Sequence, residues 1–266
     1  MLARTCRAAH TGRMRVLVAL LSLMTPTLAL EGGTPVPADH PLSRATVAVQ
    51  AVSPQPDGTA RLAECSGVLI AQDLVLTAGH CVDEAASPQH AAVFFFRGSQ
   101  VVPQVAAVAA IVRHPRHVRG WARTPGVIEE RQGEIAADIA ILRLKVLAPA
   151  SQAPIAFGPV KHPDVLTLAS AGKAGPDGKS GTLKSSVLAS IYHTRTGPAL
   201  AFATPGSGQV CTGDSGGPVV TAAGTIWGVA GAIVRSSKGC SKRFVVVPIY
   251  PLDPDIAEMI RVARDG

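Results

Sequence analysis

The octapeptide Cys211-Thr-Gly-Asp-Ser-Gly-Gly-Pro218 sets a serine in a glycine-flanked turn beside an aspartate. Such a turn exposes the Ser215 hydroxyl. It also lets the backbone N–H groups of Gly213 and Ser215 converge on one point, where a developing oxyanion would be stabilised. Upstream, Thr77-Ala-Gly-His-Cys81 offers a general base in His80, and Asp138-Ile-Ala-Ile-Leu142 offers a carboxylate at the entry to an apolar run. Imidazole, carboxylate and hydroxyl are the groups that nucleophilic acyl transfer requires, so His80, Asp138 and Ser215 form a candidate triad. Each segment alone has a plainer reading: a tight turn, a packed histidine, a strand cap.

Around these segments, apolar runs of four to eight residues recur between clusters of Gly, Pro, Asp and Ser, which predicts many short strands. Examples are Thr46–Val52, Gly67–Ile70, Leu74–Thr77, Val93–Phe96, Ile139–Leu144, Val165–Ala169, Val187–Tyr192, Val229–Val234 and Phe244–Ile249. The Ala-rich stretch Val101–Val112 is ambiguous, with Pro103 arguing against helix. Helical spacing occurs at the C-terminal end, where Ile256, Met259 and Ile260 share a face behind an Asp253 N-cap and Pro254. Pro and Ala break the strand pattern near Leu147–Pro159, which places a boundary between residues 30–150 and 151–266.

Residues 1–29 have the features of an export signal. Arg4, Arg7, Arg13 and Arg15 precede the apolar core Val16–Leu23, and Thr27-Leu28-Ala29 ends in a small residue suited to signal peptidase. Met14 is an alternative start. The apolar core is too short to span a bilayer comfortably, so a soluble secreted or periplasmic protein without stable membrane insertion is expected. Of five cysteines, Cys6 leaves with the signal and four remain, which admit three pairings. The net charge is +7, but only 16% of residues are charged and 47% are apolar. That is a globular composition, and it lacks the aromatic interleaving of a nucleic-acid platform.

With the three motifs in His, Asp, Ser order and cysteines beside two of them, the chain resembles the chymotrypsin family of serine endopeptidases from about residue 30 onward. The resemblance implies an all-β fold of two six-stranded antiparallel barrels, a cleft between them and a short C-terminal helix. It assigns His80 and Asp138 to the first barrel and Ser215 to the second. His80 would take the Ser215 proton, Asp138 would orient the imidazole, and the Gly213 and Ser215 N–H groups would hold the oxyanion. It pairs Cys65 with Cys81 and Cys211 with Cys240; closing the first loop would contribute about 3 kcal/mol in the chain-entropy picture.

In the family, Asp214 pairs with the α-amino group of a mature terminus of the Ile-Val-Gly-Gly type. Leu30-Glu-Gly-Gly33 matches that pattern directly after the expected signal cleavage. The expectation is therefore a Leu30–Asp214 activation pair made by signal peptidase itself. The alternative is a cut one or two residues away.

Gln209 stands where trypsin-like members carry an aspartate, so cleavage after Lys or Arg is not expected. Ile233 and Phe244 align with the pocket walls. They either make a shallow pocket for small uncharged side chains or simply fill the barrel. The segment between His114 and Asp138 is longer than usual in the family and carries Arg116, Arg119, Arg123 and Trp121, just after Arg113. It either borders the cleft and favours acidic peptides or is a solvated loop. Arg97–Gln104, at the position of the family's calcium loop, has no carboxylate, and His40, His90, His162 and His193 lack ligand spacing, so neither calcium nor zinc is expected. Lys173–Gly181 reads as a flexible loop. No cofactor and no nucleic-acid partner are expected; the substrate would be protein or peptide and the protein a monomer. The contrasting expectation is a catalytically silent homologue that binds partners through its basic surface.

Overall fold

The computed structural model describes residues 30–124, 126–158, 165–173, 180–195, 197–234, 239–250 and 252–266. The expected signal segment, His162 and most of the Gly/Lys-rich loop lie outside the described residues. Six strands form a closed antiparallel barrel: β1 (Thr46–Pro54), β2 (Ala60–Ala71), β3 (Leu74–Thr77), β4 (Ala91–Arg97), β5 (Gln100–Arg113) and β6 (Ala140–Leu144). Around the ring they run β1-β2-β3-β6-β5-β4. A second six, β7 (Leu166–Ser170), β8 (Lys184–His193), β9 (Ala201–Pro205), β10 (Pro218–Thr221), β11 (Ile226–Ile233) and β12 (Phe244–Pro248), run β7-β8-β9-β12-β11-β10. Pairing of β7 with β8 closes that ring. The connectivity is the same in both barrels, and closure leaves no barrel strand as a free edge. The two-residue strand Thr34–Pro35 adds outside β8.

Patterning explains the packing. Val47, Val49 and Ala51 alternate into the first barrel with Val93, Phe95, Ala140 and Leu142. In β3, Val75 joins that interior while Leu74 and Leu76 face a second cluster, so the strand is apolar at successive positions. This second cluster spans both barrels, taking Ile141 from the first, Val229 and Val247 from the second, and Ile256 and Met259 from the terminal helix. Pro103 sits in β5 opposite a register shift between Phe94 and Phe96, where the ladder tolerates a missing N–H.

The segment between barrels changes partners within one step. Ile155 N–H still bonds Leu69 O in the first barrel at 3.0 Å, whereas Ile226 N–H in the second donates to Ala156 O at 2.9 Å. Among the described residues there are three α-helices: α1 (Pro41–Ala45), α2 (Gln132–Ala136) and α3 (Pro254–Asp265). Asp253 caps α3 by accepting the Asp255 N–H at 2.9 Å, and Ile256, Met259 and Ala263 form its buried face. Among the described residues, no helix is long and apolar enough to cross a membrane.

Strands β9 and β10 complete the six of the second barrel, although Ala-Phe-Ala-Thr-Pro and Pro-Val-Val-Thr are short and lack a clear alternation. The one-turn helices α1 and α2 are too short to leave a periodic signature. Both disulfides, Cys65–Cys81 and Cys211–Cys240, pair as the resemblance implied.

Candidate active site

His80 lies on the 3-10 turn Gly79–Val82 that follows β3, and the Cys65–Cys81 disulfide ties this turn to β2. Asp138 follows α2 and enters β6; its own N–H bonds Ile135 O at 3.0 Å. Two bonds join the pair. Asp138 Oδ2 is 2.6 Å from His80 Nδ1, and Asp138 Oδ1 accepts the backbone N–H of His80 at 2.7 Å. The carboxylate is fully buried. Burial alone would lower the His80 imidazole, but the charge and hydrogen bond of Asp138, with Asp83 adding, hold it above its ordinary value.

Ser215 comes from the second barrel, in the turn between Cys211 and β10. Gly216 makes the turn possible: its φ is +79°, and a Cβ there would lie 2.3 Å from both Ser66 O and Thr77 Oγ1. Ser66 N–H donates to Ser215 O at 2.8 Å, and Ser66 Oγ donates to Gly213 O at 3.0 Å, so β2 braces the turn. No described residue accepts a hydrogen bond from Gly213 N–H or Ser215 N–H. The Ser215 hydroxyl donates to Gly231 O at 3.3 Å and makes no hydrogen bond to His80. In substrate-free hydrolytic sites this last bond commonly forms only when substrate binds.

His80 and Ser215 line one cleft of about 440 Å³, together with Gly213, Trp121, Arg131 and Ile233. The long segment before Asp138 forms its roof. Trp121 meets the His80 ring edge-on at 5.9 Å between centroids, and the Arg131 guanidinium lies 5.4 Å from the Trp121 ring. Arg131 also donates to Trp121 O at 2.7 Å and Thr124 O at 2.6 Å. Of the residues expected in the pocket, Ile233 is at the cleft. Phe244 is fully buried in the second barrel with Trp227 and Val246, so barrel filling is the reading its burial supports. The Gln209 side-chain amide is turned onto the Glu31 carboxylate.

Asp214 is fully buried behind the serine turn. Oδ2 accepts Cys211 N–H at 2.7 Å and Oδ1 accepts Gly172 N–H at 2.9 Å. Burial pushes its carboxyl up to about 6, against the pull of the Cys211 N–H, the Ser170 hydroxyl, the Gly172 N–H and the Lys184 charge. Lys184 is fully buried and, among the described residues, its Nζ has no hydrogen-bond partner. Burial lowers the Lys184 amine to about 8, and Asp214 opposes that shift. Leu30 is buried in the same barrel beside Val210, and Gln209 N–H bonds Glu31 O at 2.8 Å.

The fold and the motifs decide the family. A sequence family described as Trypsin matches residues 36–253. The chain belongs to the trypsin family. Among curated proteins none matches the sequence. Among solved structures it is similar to neuropsin, a serine protease expressed in the limbic system of mouse brain. That match has 21% identity and a TM-score of 0.62, over 86% of this chain and 99% of the other. It is also similar to the active form of the Rv3671c protease from M. tuberculosis, at 15% identity and a TM-score of 0.54, over 96% and 93% of the two chains. At these identities the solved structures speak for the fold alone.

Among the described residues, two groups of possible metal ligands come together, Cys65 with His80 and Cys81, and Glu31 with Cys211 and Cys240. In both, the sulfurs are bonded to each other and offer no thiolate. Reading the sequence missed Asp83, His117, Glu31 and Lys184. An Asp three residues after His80, and a second His in the arginine-rich segment, were the only signals for the first two.

Proposed function

We propose that the protein is an exported serine endopeptidase working through an acyl-enzyme at Ser215. The observation that carries this reading is His80, bonded behind to buried Asp138, facing the same cleft as Ser215 beside two unengaged N–H groups. His80 takes the hydroxyl proton as Oγ attacks a peptide carbonyl and returns it to the leaving amine. Asp138 fixes the tautomer with the proton on Nδ1, leaving Nε2 as base. Gly213 N–H and Ser215 N–H receive the oxyanion, each such donor being worth about 3 to 4 kcal/mol of the barrier. Ile233 at the cleft and Gln209 engaged by Glu31 favour small uncharged P1 residues.

The activating terminus is Leu30, released when the export signal is removed. Leu30 is the one non-glycine residue with positive φ among those described, at 41°. Such a φ clashes with the preceding carbonyl, and the strain vanishes once no residue precedes it. N-terminal sequencing of exported protein tests this, and a start at another residue refutes it. For the activity, a fluorophosphonate probe should label wild-type protein and not Ser215→Ala, whose peptide hydrolysis should fall by on the order of a million-fold. Unlabelled but folded and processed wild-type protein would instead support the silent binding homologue.

A further inference from the structure

A second buried imidazole faces the catalytic carboxylate. His117, on the segment between β5 and α2, has only 1% of its side chain exposed. Its Nε2 is 2.9 Å from Asp83 Oδ1, and its Nδ1, without a hydrogen-bond partner among the described residues, is 3.5 Å from Asp138 Oδ1. Asp138 is thus flanked by two histidines: His80 on the cleft side and His117 on the far side. The ring fits because residue 79 is glycine, where a Cβ would lie 2.6 Å from His117 Nδ1.

Asp83 is built to hold the far end. It is nearly fully buried and also accepts Gly120 N–H at 2.7 Å, while Arg113 Nε lies 3.8 Å from it. Burial would raise its carboxyl, but the bonds to His117 and Gly120 and the charges of His117 and Arg113 hold it below the usual range. An ionised Asp83 accepts, so His117 Nε2 donates to it. A carboxylate has about four acceptor positions. His80 takes two on Asp138, and His117 Nδ1 faces Oδ1, the oxygen that also binds His80 N–H.

We propose that His117 is a positioning residue for Asp138, so that Asp83, His117, Asp138 and His80 form one buried chain ending at the nucleophile's base. With a proton on each ring nitrogen, Nε2–H on Asp83 and Nδ1–H facing Asp138, His117 fixes the rotation of the Asp138 carboxylate and, through it, the tautomer and plane of His80. The same chain joins the His80 turn to the cleft roof. Asp83 closes that turn through its N–H on His80 O, and Arg119, two residues before Trp121, donates to Asp83 O at 2.7 Å. This inference rests on the endopeptidase reading, and its test has one arm independent of it.

The asparagine amide reproduces a donor near Nδ1 and the glutamine amide one near Nε2, so His117→Asn and His117→Gln separate the two ends of the ring. For positioning, His117→Gln should lower kcat by about tenfold with KM unchanged, and His117→Asn should retain most of kcat. Equal kcat in the two variants, or a KM effect alone, overturns the proposal in favour of a loop tether to Asp83. The independent arm uses Ser215→Ala protein and needs no turnover. There the downfield proton resonance of His80 Nδ1–H should move with His117→Gln more than with His117→Asn, and an unmoved resonance in both overturns the coupling. Failure of the wild-type protein to label would sink the peptidase reading and leave this resonance test standing.

Discussion

Two buried aspartates, one in each barrel's contribution to the cleft, are treated very differently by the fold. Asp138 binds His80 twice at 2.6 and 2.7 Å and has His117 on its far side, so imidazoles flank its charge front and back. Asp214 has two backbone N–H groups and the Ser170 hydroxyl and, beyond them, the buried Lys184 ammonium, which has no hydrogen-bond partner among the described residues. The Asp138 site is complete within the folded chain. The Asp214 site lacks one cation at close range, which is why burial leaves its carboxyl near 6. In the proposed reading, a new α-ammonium at Leu30 is the group that would complete it.

The comparison is broken most sharply from the Asp138 side. If that site is complete and rigid, Asp138→Asn should leave the fold intact and lower kcat by about ten-thousand-fold, because the amide presents an N–H where the imidazole needs an acceptor. Stopped-assay kinetics on peptide substrate, with thermal unfolding as the control for folding, measure this. A loss below about a hundredfold would mean His80 is oriented by something other than Asp138.

The Asp214 side is sharpened by pH. A carboxyl raised from 3.8 to about 6 favours the protonated form in the fold. The stabilisation from this group is full below pH 3.8 and is lost as pH rises through 6. The loss amounts to about 3 kcal/mol. Urea unfolding of the unprocessed chain and its Asp214→Asn variant at pH 3 and pH 7 should therefore show wild type losing about 3 kcal/mol relative to the variant between the two. In protein beginning at Leu30 the α-ammonium stabilises the charged form, and this relative loss should shrink or reverse. Identical pH profiles in processed and unprocessed protein would show that no terminus reaches Asp214.

The two sites also differ in how far the sequence revealed them. Short motifs carried the candidate triad residues, because a glycine-framed serine, a histidine beside a half-cystine and an aspartate heading a strand are local patterns, and the family resemblance they support implied the disulfide pairing and the double barrel. The surroundings of the two aspartates were not legible. His117 meets Asp138 only because the chain between β5 and β6 folds back over the His80 turn, and nothing in His114-Pro-Arg-His117 announces that. Lys184 opens a strand as any exposed lysine might, and only closure of β7 on β8 places it beside Ser170 and near Asp214. Phe244 shows the same limit from the other direction: the sequence leaves pocket wall and barrel filling open, and its burial with Trp227 and Val246 favours filling.

The smallest effect concerns Lys184 itself. Its amine is lowered to about 8 from 10.5, so the fold favours the neutral form. Below pH 8 the folded chain holds the charged form against that preference. Between pH 8 and 10.5 the unfolded chain binds the extra proton, so stability attributable to this group rises with pH. Lys184→Met keeps the length and apolar stem and removes the unpartnered ammonium. In protein beginning at Leu30, where the α-ammonium serves Asp214, the variant should be equally stable or slightly more stable at pH 7. In the unprocessed chain the lysine is the one nearby cation for Asp214 among the described residues, and its loss should raise the Asp214 carboxyl further above 6. Paired urea midpoints in the two forms measure the difference, and a Lys184→Met effect of the same sign and size in both would mean that the ammonium acts independently of Asp214.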